Sequence, residues 1–197
     1  MPPPSQEERS RLTRAALVRT ARRMFAERGY AQVSAAEIVA AAGLTRGALY
    51  HHFTDKQDLF RAVFLELEDE ITAELTAAMD APPEPAAKLL AGLHTILDIF
   101  DRPDVLRIGL TDAPAVLGWQ AWRDIEAEHG LGLLVGFLEG AVEAGLVLPA
   151  PAPVLAQLIL SAVIEAGLLI AHADDRRQAR ADAEQSLLVL LSGLVPR

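Results

Sequence analysis

Residues 34–56 read SAAEIVAAAGLTRGALYHHFTDK, and this stretch predicts two short helices joined by a tight turn. Ser34 and Glu37 have the spacing of a capping box, so the first helix should begin at Ser34. Gly43 should end that helix, because glycine adopts the left-handed conformation of a helix end without a Cβ penalty. Thr45 is a suitable N-cap for the second helix.

The second helix has one apolar and one polar face. Leu49 and Phe53 lie four residues apart and supply the inward face. Two short helices around a glycine turn form a helix-turn-helix, whose second helix enters the major groove of DNA. The residues expected to contact DNA are therefore Ser34, Thr45, Arg46, Gly47, Ala48, Tyr50, His51, His52 and Lys56.

This stretch resembles the DNA-binding segment of the TetR (tetracycline-repressor) family of bacterial transcriptional regulators. The matching positions are Ile38, Ala42, Gly43, Leu44, Thr45, Gly47, Leu49, Tyr50, His52, Phe53, Lys56 and Leu59. Val39 departs from the family pattern, which usually has an alanine there. The resemblance is strongest over residues 14–59. It implies a homodimeric all-α regulator, usually a repressor, whose body binds a small molecule and whose last two long helices pair with their mates in a four-helix bundle.

Several expected DNA contacts have a second interpretation. Lys56 and Tyr50 are expected to bind phosphates, but they could be an ordinary surface lysine and a core tyrosine. Arg46 could read a guanine through its bidentate guanidinium group or bind a phosphate. The Ala48 methyl group could touch a thymine methyl, and His51 could simply face solvent. In the preceding helix, we expect backbone contacts from Arg9 and Arg11, and a solvated face from the later arginines.

The distribution of charge supports a nucleic-acid partner. The 197-residue chain has a net charge of −9, which taken alone argues against DNA. Residues 1–60, however, hold nine of the 18 Lys and Arg against six of the 27 Asp and Glu, a net charge of +3. Residues 61–197 therefore carry −12. A basic segment attached to an acidic body favours DNA binding by the N-terminal part.

Composition also indicates the compartment. The chain is 51% hydrophobic, which is enough for a substantial core, and it has no cysteine. Disulfides and thiolate chemistry are thereby excluded. The first residues, MPPPSQEERS, lack the basic and apolar regions of a signal peptide, so we expect a cytoplasmic protein. Residues 1–8 are polar and proline-rich and are expected to be disordered.

Apolar residues recur at helical spacing, and no segment alternates convincingly with a period of two. Helices are predicted at about 9–28, 34–42, 45–53, 56–79, 86–100, 104–110, 118–144, 154–173 and 177–193, with a loop at 111–114. Gly130 and Gly132 are expected to interrupt the helix 118–144. The predicted fold is all-α with about nine helices. A three-helix helix-turn-helix domain should cover residues 9–69, and a ligand-binding and dimerisation domain residues 70–197.

The apolar stretch from Val154 to Ala173 is long enough to suggest a membrane span. Glu165 lies near its middle, where a carboxylate is costly in hydrocarbon, so a buried helix is expected and no membrane partner. Together with the apolar segment Leu187 to Leu194, this stretch offers more apolar surface than one small helical body needs. The excess predicts a homodimer.

The residues expected to line a ligand site in the body are His94, Trp119, Trp122 and Glu165. A charged residue among aliphatic side chains needs a partner or a ligand. The alternative for His94 and Glu165 is a paired polar group at the subunit interface. His94, His129 and His172 lack metal-ligand spacing, so neither a metal nor a cofactor is expected. No catalytic nucleophile, phosphate loop or carboxylate pair stands out, so the protein is not expected to be an enzyme.

The expected function is a DNA-binding transcriptional regulator, a repressor that a small-molecule ligand releases from double-stranded operator DNA. Two alternatives remain open, an all-α enzyme acting on a small molecule and a helical adaptor that binds protein, each with an incidental helix-turn-helix. The missing catalytic constellation disfavours the enzyme. An adaptor would leave the basic N-terminal segment unexplained.

Overall fold

The computed structural model describes residues 5–194, which form ten α-helices, one π-helix and one 3-10 turn, with no strand. The α-helices are α1 (Gln6–Arg28), α2 (Ala35–Ala41), α3 (Arg46–His52), α4 (Lys56–Asp80), α5 (Pro85–Ile99), α6 (Ala113–Leu117), α7 (Trp119–Glu128), α8 (Gly130–Glu143), α9 (Ala152–His172) and α10 (Arg176–Ser192). The 3-10 turn is Tyr30–Gln32, and the π-helix is Val105–Asp112. The predicted all-α class with about nine helices is confirmed.

The chain forms two compact units. The first contains residues 5–67 and 103–122, and the second contains residues 68–102 and 123–194. Helix α4 begins in the first unit, and its residues from Glu68 onward belong to the second. The first unit thus includes the π-helix and α6, whose residues fall within the predicted C-terminal domain. The division at residues 69 and 70 stays a prediction.

The N-terminal helix starts earlier than the sequence predicted. Ser5 caps α1 by accepting a hydrogen bond from the Glu8 amide at 3.1 Å, so the helix begins at Gln6. The expected disorder of residues 1–8 is therefore wrong for residues 5–8, because a side-chain cap satisfies the helix start. The expectation for residues 1–4 lies outside the described part of the chain.

Aromatic and aliphatic side chains fill the core of the first unit. Phe25 of α1 packs edge-on against Phe60 of α4, with 5.4 Å between ring centroids. Ile38 of α2 and Leu49 of α3 are fully buried, and Phe53 is 4% exposed. The inward face predicted for the second helix of the helix-turn-helix is therefore the one that packs, and it fixes which face of α3 points outward.

The π-helix is attached to α1 and to the turn that follows α1. Arg22 donates two hydrogen bonds to Asp104, at 2.7 and 3.0 Å, and Asp112 accepts one from the Tyr30 amide at 2.8 Å. The sequence predicted a loop at residues 111–114, but the chain there is helical. Pro114 is compatible with this because it lies in the first turn of α6, where its missing N–H is not needed.

The second unit is built from long helices joined by ion pairs and small residues. Helix α10 is linked to the C-terminal end of α5 by Arg176 and Asp101, at 3.0 Å, and by a second ion pair between Arg180 and Asp98.

The predicted helix 118–144 is divided at His129 into α7 and α8, so the predicted interruption is confirmed at Gly130, whereas Gly132 lies inside α8.

Helix α9 is the one helix in residues 5–194 that is long and apolar enough to cross a membrane, by length and composition alone. Within the most apolar 18-residue stretch of this helix, only 28% is buried. Ala156, Val163 and Ile170 face the core, whereas Val154 and Leu158 are exposed. The prediction that this helix is buried therefore holds for only one of its faces in the single chain.

Candidate nucleic-acid interface

Side-chain hydrogen bonds fix the start of α2. The Glu37 amide donates to Ser34 Oγ at 3.2 Å, and Glu37 Oε2 accepts from the Ser34 amide at 2.8 Å, which completes the predicted capping box. The Arg28 guanidinium lies 2.8 Å from Glu37 Oε1. The bonds from Ser34, followed by that from Arg28, hold the pKa of Glu37 down at about 2. The carboxylate therefore stays charged at neutral pH and keeps the helix start in place.

The turn between α2 and α3 has the geometry that the sequence predicts. Gly43 has a φ of 67°, in the left-handed region, and the Leu44 amide donates back to Val39 O at 3.0 Å. Thr45 Oγ1 then accepts from the Ala48 amide at 3.2 Å and caps α3. Local hydrogen bonds thus set where α3 begins and how it leaves the turn.

The outward face of α3 carries the predicted DNA-binding side chains. Arg46, Gly47, Tyr50 and His51 are exposed, and Ala48 is partly exposed. The Arg46 guanidinium lies 5.4 Å from the centroid of the Tyr50 ring, a cation–π contact. No carboxylate pairs with Arg46 within residues 5–194. Its N–H donors are therefore available to a phosphate or a base edge.

Lys56 has a structural role that the sequence did not reveal. Its Nζ donates to Tyr30 O at 3.0 Å and to Val33 O at 2.9 Å, and lies 3.8 Å from the Tyr30 ring centroid. Burial lowers the pKa of Lys56, and Glu37 partly opposes that shift. Two of the three ammonium donors thus bind backbone carbonyls, and one remains. The phosphate contact expected from Lys56 stays a prediction.

The N-terminal half of α1 and the outward face of α3 enclose a groove. Its lining includes Ser5, Gln6, Glu7, Arg9, Ser10, Arg11, Thr13, Arg14, Ala48, His51 and His52. Burial, and then the charges of His51 and Arg14, lower the pKa of His52, which favours the neutral imidazole. Arg14 is the arginine of this groove that sequence reasoning did not predict as a contact. Its place three residues after Arg11, one helical turn along α1, is the signal that could have identified it.

The four residues expected to line a ligand site are divided between the two units. Trp119 and Trp122 pack together in the first unit with 5.1 Å between ring centroids, and they are 64% and 4% exposed. His94 is exposed on α5, with its Nε2 3.0 Å from Glu184, and Glu165 is exposed on α9. Their role in ligand binding stays a prediction. Residues 5–194 contain no group of three or more His, Asp or Glu side chains suited to a metal ion.

Two family models match the chain. The model described as "Bacterial regulatory proteins, tetR family" covers residues 17–63. The model described as "Tetracyclin repressor-like, C-terminal domain" covers residues 86–194, more than half of the chain. The first match includes α2 and α3, and the second covers α5 to α10.

Curated relatives and a solved structure agree with these matches. The chain is 32% identical over 127 residues to the transposon Tn10 TetC protein of Escherichia coli, covering 64% of each. It is 36% identical over 101 residues to the probable acrEF/envCD operon repressor of Escherichia coli K12, covering 49% of this chain and 46% of the relative. The chain thus spans about half to two thirds of the length of these curated relatives.

The crystal structure of a TetR-family transcriptional regulator from Pectobacterium atrosepticum covers nearly the whole chain. The two are 34% identical in sequence and superpose with a TM-score of 0.85, over 98% of this chain and 99% of that one. The helix-turn-helix geometry, the two family models and this full-length match all indicate the same assignment. The chain belongs to the TetR family of DNA-binding transcriptional regulators.

Proposed function

We propose that the protein is a homodimeric repressor that binds double-stranded operator DNA through α3 and leaves the operator when a small molecule binds to its C-terminal domain, residues 70–197. The exposed outward face of α3, with Arg46 stacked on Tyr50, is the observation that carries the DNA-binding part. The repressor role is supported by the similarity to the probable acrEF/envCD operon repressor of Escherichia coli. Operator binding places the protein in the cytoplasm, and we assign it no catalytic activity.

The DNA-binding surface combines base reading and phosphate binding. Arg46 and Ala48 in the first turn of α3 are positioned for base edges, because residues near the start of a recognition helix reach the groove floor. Phosphate binding is assigned to the polar residues around them, namely Ser34, Thr45, Tyr50, His51, His52 and Lys56, with Gly47 allowing close approach of the backbone. Arg9 and Arg11 add positive charge along the protein groove between α1 and α3.

Dimerisation is assigned to the exposed apolar faces of α9 and α10. Val154, Leu158 and Leu169 on α9 are 59% to 64% exposed, and Val189 and Leu190 on α10 are 66% and 63% exposed. Large apolar side chains clustered on adjacent long helices are typical of subunit interfaces. A two-fold dimer would bind successive major grooves if its two α3 helices were roughly 34–36 Å apart.

Ligand control requires the C-terminal domain to influence α3, and α4 runs without interruption from the first unit into the second. The dimer can differ in the spacing between its two α3 helices. A ligand that binds the dimer better at one spacing than at another shifts the population toward that spacing. A preference of about a hundredfold corresponds to about 2.7 kcal/mol and would change operator occupancy substantially. Reciprocity requires operator DNA to weaken ligand binding by the same factor.

Selection of duplexes from a random pool tests this function and also yields the operator sequence. The purified protein is expected to enrich a pseudo-palindrome with half-sites about 10 base pairs apart, centre to centre. A variant with Arg46→Ala and Tyr50→Ala should lose the enrichment. The control variant Arg177→Ala, which removes an exposed charge from α10, should keep it. If wild-type protein enriches no sequence, α3 is not a recognition helix.

A further inference from the structure

Arg14 of α1 lines the groove between α1 and α3 with its hydrogen-bond donors unused. Its Nη1 lies 3.9 Å from the Glu66 carboxylate of α4, which is beyond hydrogen-bond distance, and both side chains are about half exposed. An ion pair of this kind contributes little. The guanidinium group also lies 5.3 Å from the centroid of the Phe53 ring, and it makes no hydrogen bond within residues 5–194. The chain therefore positions this cation without fully neutralising it.

His52, the last residue of α3, lines the same groove. Its partly buried imidazole lies 6.4 Å from the Phe53 ring and 5.0 Å from the His51 ring, measured between centroids. Neither of its ring nitrogens has a hydrogen-bond partner in the described part of the chain. An imidazole always carries at least one N–H donor. A donor beside a cation, both without an acceptor, suits an acceptor that is negatively charged.

Positive charge dominates this groove. The charged or titratable residues of its lining are Glu7, Arg9, Arg11, Arg14, His51 and His52. Glu66 of α4 faces the groove only through its pair with Arg14. Among the described residues, three arginines thus face two carboxylates before either histidine is protonated. The phosphodiester backbone of the operator is the anion that a DNA-binding surface presents to such a groove.

We propose that Arg14 and His52 together bind one phosphate of the operator backbone, and that His52 takes up a proton from solvent as they do so. The inference rests on the proposed function, in which the protein binds operator DNA through α3. It adds a residue of α1 and a proton to that contact. Arg14 donates to one phosphate oxygen and the imidazolium of His52 to another, and the buried Phe53 ring supports both cations.

A bound phosphate reverses the electrostatic balance around His52. In the free protein, burial and then the charges of His51 and Arg14 lower the pKa of His52, so the neutral imidazole is favoured at pH 7. A phosphate beside both cations offsets their repulsion and favours the imidazolium. The complex then holds one more proton than the free protein, so the affinity for DNA rises as the pH falls. The gain is complete once the pH lies below the pKa of His52 in the free protein, which is under 6.5.

Fluorescence anisotropy with the duplex recovered by selection measures this proton linkage. At about 100 mM salt, wild-type protein should bind about tenfold more tightly at pH 6 than at pH 8. His52→Gln retains an N–H donor but takes up no proton, so its affinity should change less than about threefold. The control His172→Gln removes an exposed histidine at the end of α9 and should keep the wild-type response. A wild-type affinity that does not change with pH, or a tenfold change in His52→Gln, overturns the proposal.

Arg14→Gln tests the contribution of α1. The variant should bind the selected and the shuffled duplexes more weakly by the same factor, and the magnitude of its salt slope should fall by about one. It should also raise the pKa of His52 in the free protein, because one of the charges that lower this pKa is removed. A merely structural role would leave the salt slope unchanged, and that result would remove Arg14 from the site. The control Arg19→Gln, at an exposed arginine of α1 outside the groove, should keep the wild-type slope.

Proton NMR of the imidazole Cε1–H groups measures the protonation of His52 directly. The chain has five histidines, and the signal of His52 is the one that His52→Gln lacks. Its titration midpoint should lie below pH 6.5 in the free protein and should rise by about one unit or more when the selected duplex is added. An unchanged midpoint would contradict proton uptake. Failure of the proposed function would appear as equal affinity for selected and shuffled duplexes, whereas failure of this inference leaves that preference intact and removes only the proton linkage.

Discussion

Arg46 is the side chain on α3 from which we expect base specificity. It lies in the first turn, exposed, and its guanidinium group stacks on Tyr50 with its donors available. Arg46→Ala should reduce discrimination at one base pair by about 1–3 kcal/mol, because a bidentate contact to guanine is lost. Binding to a set of single-base operator variants measures this, with Arg177→Ala on α10 as the control. A uniform loss over all variants would assign Arg46 to a phosphate.

Glu68 should also govern how stability depends on pH. Its pKa rises from 4.5 in the unfolded chain to about 8 in the folded chain, so the folded state binds more protons between these values. With respect to Glu68, the free energy of unfolding is therefore highest below pH 4.5. It falls as the pH rises from 4.5 through about 8, where the folded state also loses the proton. Glu68→Gln should remove this loss, so the variant should gain Tm relative to wild type as the pH is raised from about 5 to about 9. A difference in Tm that does not change with pH would contradict the assignment.

At the scale of elements, Gly167 allows α9 to pack closely against the end of α5. A Cβ atom at Gly167 would lie 2.5 Å from Phe100 Cδ2, and Phe100 is buried. Gly167→Ala should therefore destabilise the fold by about 1–3 kcal/mol through overpacking. Gly136→Ala on α8 is the matched control, because a Cβ there meets open space and should stabilise the helix by about 0.5–1 kcal/mol. Urea denaturation measures both, and a neutral Gly167→Ala would exclude the close contact.

Elements whose ends are set by local chemistry could be predicted from the sequence. The capping box of Ser34 and Glu37, the turn at Gly43 and the cap at Thr45 use hydrogen bonds between residues at most five apart. The spacing of Leu49 and Phe53 likewise predicted which face of α3 is buried. These features determine the outward face of α3, so most of the candidate DNA-binding surface was visible in the sequence.

Features that depend on contacts distant in sequence could not be predicted. The amine of Lys56 binds carbonyls of Tyr30 and Val33, more than 20 residues earlier, and no local pattern indicates this. His129, at the break between α7 and α8, contacts Asp69 of α4. The local pattern makes Glu68 an ordinary polar position on an amphipathic helix. Its raised pKa depends on burial and on the charge of Glu126, which is on another helix and far away in the sequence. In each case tertiary packing decided the role of the side chain.

For the whole molecule, the exposed apolar face of α9 and α10 predicts that the protein is a dimer in solution. Leu158 is 64% exposed on α9, so Leu158→Glu would bury a charge at the proposed interface. The variant should sediment as a monomer at concentrations where wild type is a dimer. Leu146→Glu, at a 43% exposed leucine between α8 and α9, is the control and should remain a dimer. A dimeric Leu158→Glu would place the interface elsewhere.

Sequence-specific DNA binding by the whole dimer is the central claim, and fluorescence anisotropy measures it most directly. Wild-type protein is titrated against the duplex recovered by selection and against a shuffled duplex of the same composition, at salt concentrations between about 50 and about 200 mM. The selected duplex should bind about a thousandfold more tightly, and both affinities should fall as salt rises. Equal affinity for the two duplexes at every salt concentration would contradict the account.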